Sequence, residues 1–211
     1  MTMDRRELLR GLALGAGALA LGGCSVNIPG PTLRAAYRTT TDGTHTLPTV
    51  PVNKIPEQFR RQRVPYQSKY KPGTIVVSTK ERLLWLVEPN GTAMRYGIGV
   101  GKDGFRWGGT ARVGYKREWP TWTPPSRMIG RKPELAKWRG GMPGGIGNPL
   151  GARAMYLYRG GRDTLYRIHG SPEWWSIGTQ ASSGCIRLIN QDVIDLYGRV
   201  KVGARVVVKQ G

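Results

Sequence analysis

The stretch 169-HGSPEWWSIGTQASSGCIRLIN-190 holds the second of only two histidines and the second of only two cysteines in a chain of 211 residues. His169 closes an extended run, 164-TLYRIH-169, and Cys185 sits in 182-SSGCIR-187, a small-residue turn ahead of a helix. The segment between them is long enough to leave a strand end, loop out and come back beside it. A cysteine attacks a carbonyl as its thiolate, and an unassisted thiol ionises only near ~8.5. A histidine within hydrogen-bond reach takes that proton and later hands it to a leaving amine. Gly184 lets the backbone approach a substrate closely, and amides around Gly184 and Cys185 suit a developing oxyanion. The pattern is that of an acyl-transfer site. Burial of Cys185 as a small hydrophobe is the competing reading.

Working outward, strand signals surround this stretch. Runs rich in β-branched and large apolar residues occur at 74-TIVVSTK-80, 82-RLLWLVE-88, 92-TAMRYGIGVG-101, 111-ARVGYK-116, 153-RAMYLY-158, 164-TLYRIH-169 and 204-ARVVVK-209. Loops dense in Gly and Pro separate them, notably 119-WPTWTPP-125 and 140-GGMPGGIGNPLG-151. Two short helices are expected, at 133-PELAKW-138 and at 191-QDVIDLYGR-199 with Asn190 as cap. The expectation is a mainly β protein with a sandwich or barrel-like core.

The N-terminal part reads differently. Arg5 and Arg6 precede an uncharged Gly/Ala/Leu run that ends in 21-LGGC-24, which resembles a twin-arginine export signal followed by a lipobox. The apolar run is too short for a membrane-spanning helix, which takes ~20 residues. Residues 1–23 are therefore expected to be a signal and Cys24 to carry a diacylglycerol anchor. Residues 24–58, rich in Pro and Thr and without apolar periodicity, are expected to be a tether, and the folded domain to occupy 59–211. His45 lies in that tether, which makes it a poor catalytic candidate, and Cys185 has no intrachain disulfide partner once Cys24 is acylated or cleaved off.

Lys plus Arg number 33 against 13 acidic residues, a net charge of +20. The basic residues are scattered, without a nucleic-acid-binding pattern, and export removes nucleic acid as a partner. Cell-wall carboxylates and anionic headgroups are the natural counterparts of such a charge. A metal site would want three or four ligands, and one Cys, one usable His and Glu173 fall short of that. Chain order disfavours papain-like peptidases, which place Cys before His. Sortases keep the order but use a much longer gap and a strand motif missing here.

The segment from His169-Gly170 to 182-SSGCIRL-188 resembles the signature of the L,D-transpeptidases, the family of the YkuD-type catalytic domain. The likeness extends to Gly73-Thr-Ile-Val-Val, 119-WPTWTPP-125, 148-NPLGARA-154 and 174-WWSIG-178 and covers roughly residues 60–211. It implies a β-sandwich catalytic domain with one or two short helices. By position it makes Cys185 the nucleophile and His169 the base and then the acid. The carbonyl of Gly170 would fix the imidazole tautomer, and Gly184 and Cys185 would supply the oxyanion hole. Arg187 suits a substrate carboxylate, or else supports the loop, while Ser182, Ser183 and Trp174 are candidate substrate contacts. Trp174 and Trp175 either wall the site or pack the loop onto the sheet. Many relatives carry a second histidine where this chain has Ser183, so His169 must serve alone. The resemblance further implies peptidoglycan stem peptides as substrate, no cofactor, a periplasmic lipid-anchored location and an amine acceptor, an envelope protein among the options. A hydrolase using the same dyad with water, and a catalytically silent wall-binding lipoprotein, are the alternatives.

Overall fold

A computed structural model describes residues 33–101, 108–180 and 185–210. The expected signal, Cys24, Ser182, Ser183 and Gly184 lie outside the described residues. The described chain opens with a helical turn, α1 (Leu33–Ala36), and a small hairpin of β1 (Thr40–Asp42) and β2 (His45–Leu47). There follow β3 (Gln62–Pro65), β4 (Ile75–Ser78), β5 (Leu83–Val87), β6 (Thr92–Gly97), β7 (Gly99–Val100) and β8 (Gly109–Glu118). After α2 (Ser126–Arg131) come β9 (Arg153–Arg159), β10 (Arg162–Ser171), β11 (Ile186–Ile189), α3 (Asn190–Arg199) and β12 (Arg205–Lys209).

Ten of these strands form one sheet in the order β3-β6-β5-β4-β12-β8-β9-β10-β11-β7. Only Ile98 separates β6 from β7 in the chain, yet they stand second and last in that order. One continuous segment therefore stitches the two ends of the sheet together, and the sheet must curl over on itself to allow it. The sandwich follows from that closure. Gly97 sits at the crossing, where a Cβ would run into the backbone of Phe59.

The interior obeys the period of two. Ile75 and Val77, Ala111 and Val113, Met155 and Leu157, Ile186 and Leu188, and Val206 and Val208 all enter one core. Val193 and Leu196 of α3 join them, as the helical spacing of that segment requires.

Several expectations change on contact with the fold. The Pro/Thr-rich segment is not a free tether over residues 33–58. Tyr37, Val50, Ile55 and Phe59 are buried in a second, smaller core with Ile177 and Ile189, and Tyr37 Oη donates to Asp192 at 3.0 Å. Four isolated anchors separated by turns carry no periodicity, which is why the sequence pattern does not show them. Asn190 is the first residue of α3 and not its cap; its side-chain oxygen accepts a hydrogen bond from the Ala152 amide at 2.9 Å. The run 133–138 is a 3-10 helix, and α2 just before it has no signal beyond the preceding prolines.

Candidate active site

Strands β10 and β11 lie side by side and parallel, with Ile168 opposite Ile186 and His169 opposite Arg187. Parallel neighbours need a crossover connection, and the loop from Pro172 to Cys185 is that crossover. Ile168, Ile186 and Leu188 point into the main core. His169, Arg187 and, two residues earlier, Cys185 therefore share the opposite face of the sheet. The alternation of core and non-core residues from Cys185 to Leu188 turns Cys185 and Arg187 away from the core, and the alternation of Ile168 with His169 on β10 does the same for the imidazole.

On that face lies a cavity of about 1130 Å³, whose lining includes His169, Ser171, Glu173, Cys185 and Arg187. Its far wall is the excursion between β8 and β9, residues 119–152, which contributes Trp122, Arg127, Met128, Arg131, Lys132, Leu135, Trp138 and Met142. The excursion is pinned at its base by Trp119 N–H to Ala152 O at 2.8 Å and closed on itself by reciprocal bonds between Trp122 and Met142. Asn148, fully buried, points its amide at the carbonyls of Pro120, Met142 and Pro143 at 3.1, 3.1 and 2.9 Å. Two N–H protons are shared among three acceptors there, so one side chain ties three carbonyls of the loop together.

His169 is 4% exposed, and its Nδ1 lies 2.6 Å from the carbonyl oxygen of Gly170. A carbonyl only accepts, so Nδ1 carries the proton and Nε2 is the basic nitrogen. Burial pushes the imidazole down to about 4, against the upward pull of the Gly170 carbonyl and with further lowering by Arg187 and Arg167. The ring is neutral at physiological pH. Burial likewise pushes the Cys185 thiol up, opposed by a backbone hydrogen bond at Arg167 and by the Arg167 and Arg187 charges. Both shifts disfavour the charged forms, imidazolium and thiolate.

Gly170 admits no side chain: a Cβ would strike Asn190 Oδ1 and approach Val193 to 2.9 Å. Asn190 in turn binds the Ala152 amide where the cavity wall rejoins the sheet. One buried side chain of α3 thus bonds the end of the wall and packs against the strand that carries His169.

The structure brings Cys185, His169, Gly170 and Arg187 together. Arg187 Nη1 donates to Glu173 at 2.9 Å, across the crossover loop, and its buried Nε has no hydrogen-bond partner among the described residues. Trp174 packs against the second core and is not among the described residues lining the cavity, whereas Trp175 is 62% exposed and meets it edge to face. The aromatic wall of the cavity comes from Trp122 and Trp138 instead. Asn148, Asn190, Glu173 and the basic edge of α2 are parts of the site that local sequence did not single out. Among the described residues no cluster of three or more potential metal ligands exists.

A family model for the L,D-transpeptidase catalytic domain (YkuD) matches residues 72–208. That is more than half of the chain, and the chain belongs to this family. It is 34% identical over 145 residues to the Probable L,D-transpeptidase YbiS of Escherichia coli K12, a match covering 64% of this chain and 43% of that protein. It is 38% identical over 142 residues to the Probable L,D-transpeptidase ErfK/SrfK of the same strain, covering 63% and 42%. The matched stretch therefore spans less than half the length of these curated relatives. A solved structure from Brucella melitensis, named a probable carnitine operon oxidoreductase, is 52% identical, covers 74% of this chain and 97% of that one, and has a TM-score of 0.52. The redox activity in that name is said of the Brucella protein.

Proposed function

We propose that this chain is a peptidoglycan L,D-transpeptidase of a bacterial envelope, held at the membrane by acylated Cys24 and acting in the periplasm. Cys185 attacks the carbonyl of the L-centre of diaminopimelate in a tetrapeptide stem. The thiol proton passes to Nε2 of His169 as the S–C bond forms. Nε2 returns it to the departing amine as the C–N bond to the terminal D-Ala breaks. The thioester then passes to an amine, which becomes an amide, while His169 again takes and delivers one proton. The amine is that of a second stem (a 3→3 cross-link), of an envelope protein or of a free D-amino acid.

The observation that carries this reading is the common face shared by His169 and Cys185 at the floor of a roomy cavity, with Nδ1 tied to the Gly170 carbonyl. That bond orients the ring and keeps its basic nitrogen free for the thiol. A neutral base beside a neutral thiol means that the proton moves as the substrate arrives. Backbone amides at Cys185 and Gly184 are the proposed oxyanion donors. The cavity lining carries Arg127, Arg131, Lys132 and Arg187 against Glu134 and Glu173, a balance suited to a peptide bearing several carboxylates. Arg187 already holds one carboxylate, that of Glu173, in the way it would hold one of the substrate's. Ser182 and Ser183 stay proposed substrate contacts.

The test is incubation of the purified protein with tetrapeptide muropeptides, with products resolved by mass. Cross-linked dimers, or exchange of D-Ala for another D-amino acid, together with an acyl adduct on Cys185, are the expected result. Tripeptides alone would make the protein a carboxypeptidase using the same dyad. No adduct and no product would leave a silent wall-binding protein.

A further inference from the structure

The hairpin of β1 and β2 lies outside residues 72–208, and the chemistry above gives it no task. Its contacts are nevertheless specific. Asp42 accepts two hydrogen bonds from the guanidinium of Arg153, at 2.6 and 2.8 Å, and a third from Trp119 Nε1 at 2.9 Å. His45, three residues on, sets its ring against that of Trp119, tilted by 44° with centroids 4.0 Å apart. The hairpin therefore grips one indole from two sides.

Trp119 is where the cavity wall begins. It follows the last residue of β8, has a positive φ of 41° that a bulky residue adopts only when held there, and bonds through its amide to Ala152 at the other end of the wall. Arg153, the second partner of Asp42, also donates to Ala152 O at 2.8 Å. One carboxylate thus meets both roots of the excursion that carries Trp122, Arg131 and Trp138 over Cys185. Hairpin residues are absent from the described cavity lining, so the hairpin acts on the site through Trp119 and Arg153, the residues it holds.

We propose that Asp42 is a positioning residue, and that the hairpin sets the width of the catalytic cavity by fixing Trp119 and Arg153 at the roots of its wall. The KM arm of the test rests on the function proposed above; the labelling arm does not. In the full chain, Asp42→Asn keeps the shape of the side chain but removes the nearer of the two carboxylate charges on Arg153, leaving Glu118 at 3.5 Å. Cys185 is then labelled with iodoacetamide, which is small, and separately with fluorescein-5-maleimide, which must pass the wall. Label is counted on the peptide carrying Cys185, so that Cys24 does not contribute. The expected result is a maleimide rate raised about fivefold or more with the iodoacetamide rate within about twofold, since only the path past the wall has changed. With a tetrapeptide donor, KM rises about fivefold while kcat holds within about twofold, the pattern of lost uniform binding. Asp42→Glu, which restores the charge, recovers part of both effects.

A lowered melting temperature with both labelling rates and KM unchanged would overturn the proposal and leave the hairpin a stabilising appendage. Should Asp42→Asn fail to fold, His45→Ala loosens Trp119 from the other side without breaking an ion pair. An unchanged ratio of the two labelling rates in that variant overturns the proposal equally. A shifted ratio in a protein inert toward muropeptides keeps the positioning role and removes the function proposed above.

Discussion

His169 illustrates how much one buried ring decides. Its pKa of about 4 lies well below the ordinary 6.5 because burial disfavours the charged form. The unfolded chain takes up a proton near 6.5 that the folded protein refuses until about 4, so this group removes stability as pH falls through that window. Asp192 works the other way, since burial raises its carboxyl to about 7 and the folded state holds that proton. A comparison of wild type with His169→Gln cancels the Asp192 contribution. Between pH 7.5 and pH 5, thermal or urea unfolding should show wild type losing about 2 kcal/mol more than the variant. The same depressed value predicts that the acid limb of kcat/KM in muropeptide turnover falls near pH 4 and not near 6.5. On the proposed mechanism, replacing His169 slows acylation of Cys185 by about a hundredfold or more, read by intact mass against time.

At the scale of elements, the wall over Cys185 and the strand crossing at Gly97 bear the most weight. Asn148→Ala strips the amide shared by three carbonyls, and chemical denaturation should show a loss of about 2–3 kcal/mol with KM raised. Gly97→Ala pushes a methyl into the Phe59 backbone. The continuous β6–β7 segment cannot move without parting the ends of the sheet, so poor expression or a melting point lowered by about 10 °C or more is expected for a chain of this size. The basic edge of α2 belongs to this scale too. Arg131→Gln with Lys132→Gln is predicted to raise KM for a tetrapeptide donor severalfold and to leave the iodoacetamide rate of Cys185 unchanged.

Across the whole molecule, a charge of +20 draws the protein toward anionic polymers regardless of its chemistry. Binding to isolated peptidoglycan sacculi should weaken steeply as salt rises from about 50 to about 300 mM, because screening shortens the reach of surface charge. Most of the strands were legible in the chain, because richness in β-branched and large apolar residues is a local signal and the runs at 74–80, 82–88, 153–158 and 204–209 carry it plainly. His169 and Cys185 were legible for another reason: a strand end and a glycine turn in one short segment bring two rare residue types together. Packing of the N-terminal anchors Tyr37, Val50, Ile55 and Phe59 was hidden, since each finds its partners far along the chain. The same holds for Asn190, which local rules assign to a helix cap and which in the fold accepts from the Ala152 amide while packing against Gly170. The amino-acid order thus determined most of the strands, the candidate pair of His169 and Cys185 and the charge, which follow from local pattern, from one short segment and from composition. Tertiary structure alone decided the width of the cavity, the neutrality of its base and the anchoring of its wall, because burial and closure depend on groups that only folding brings together.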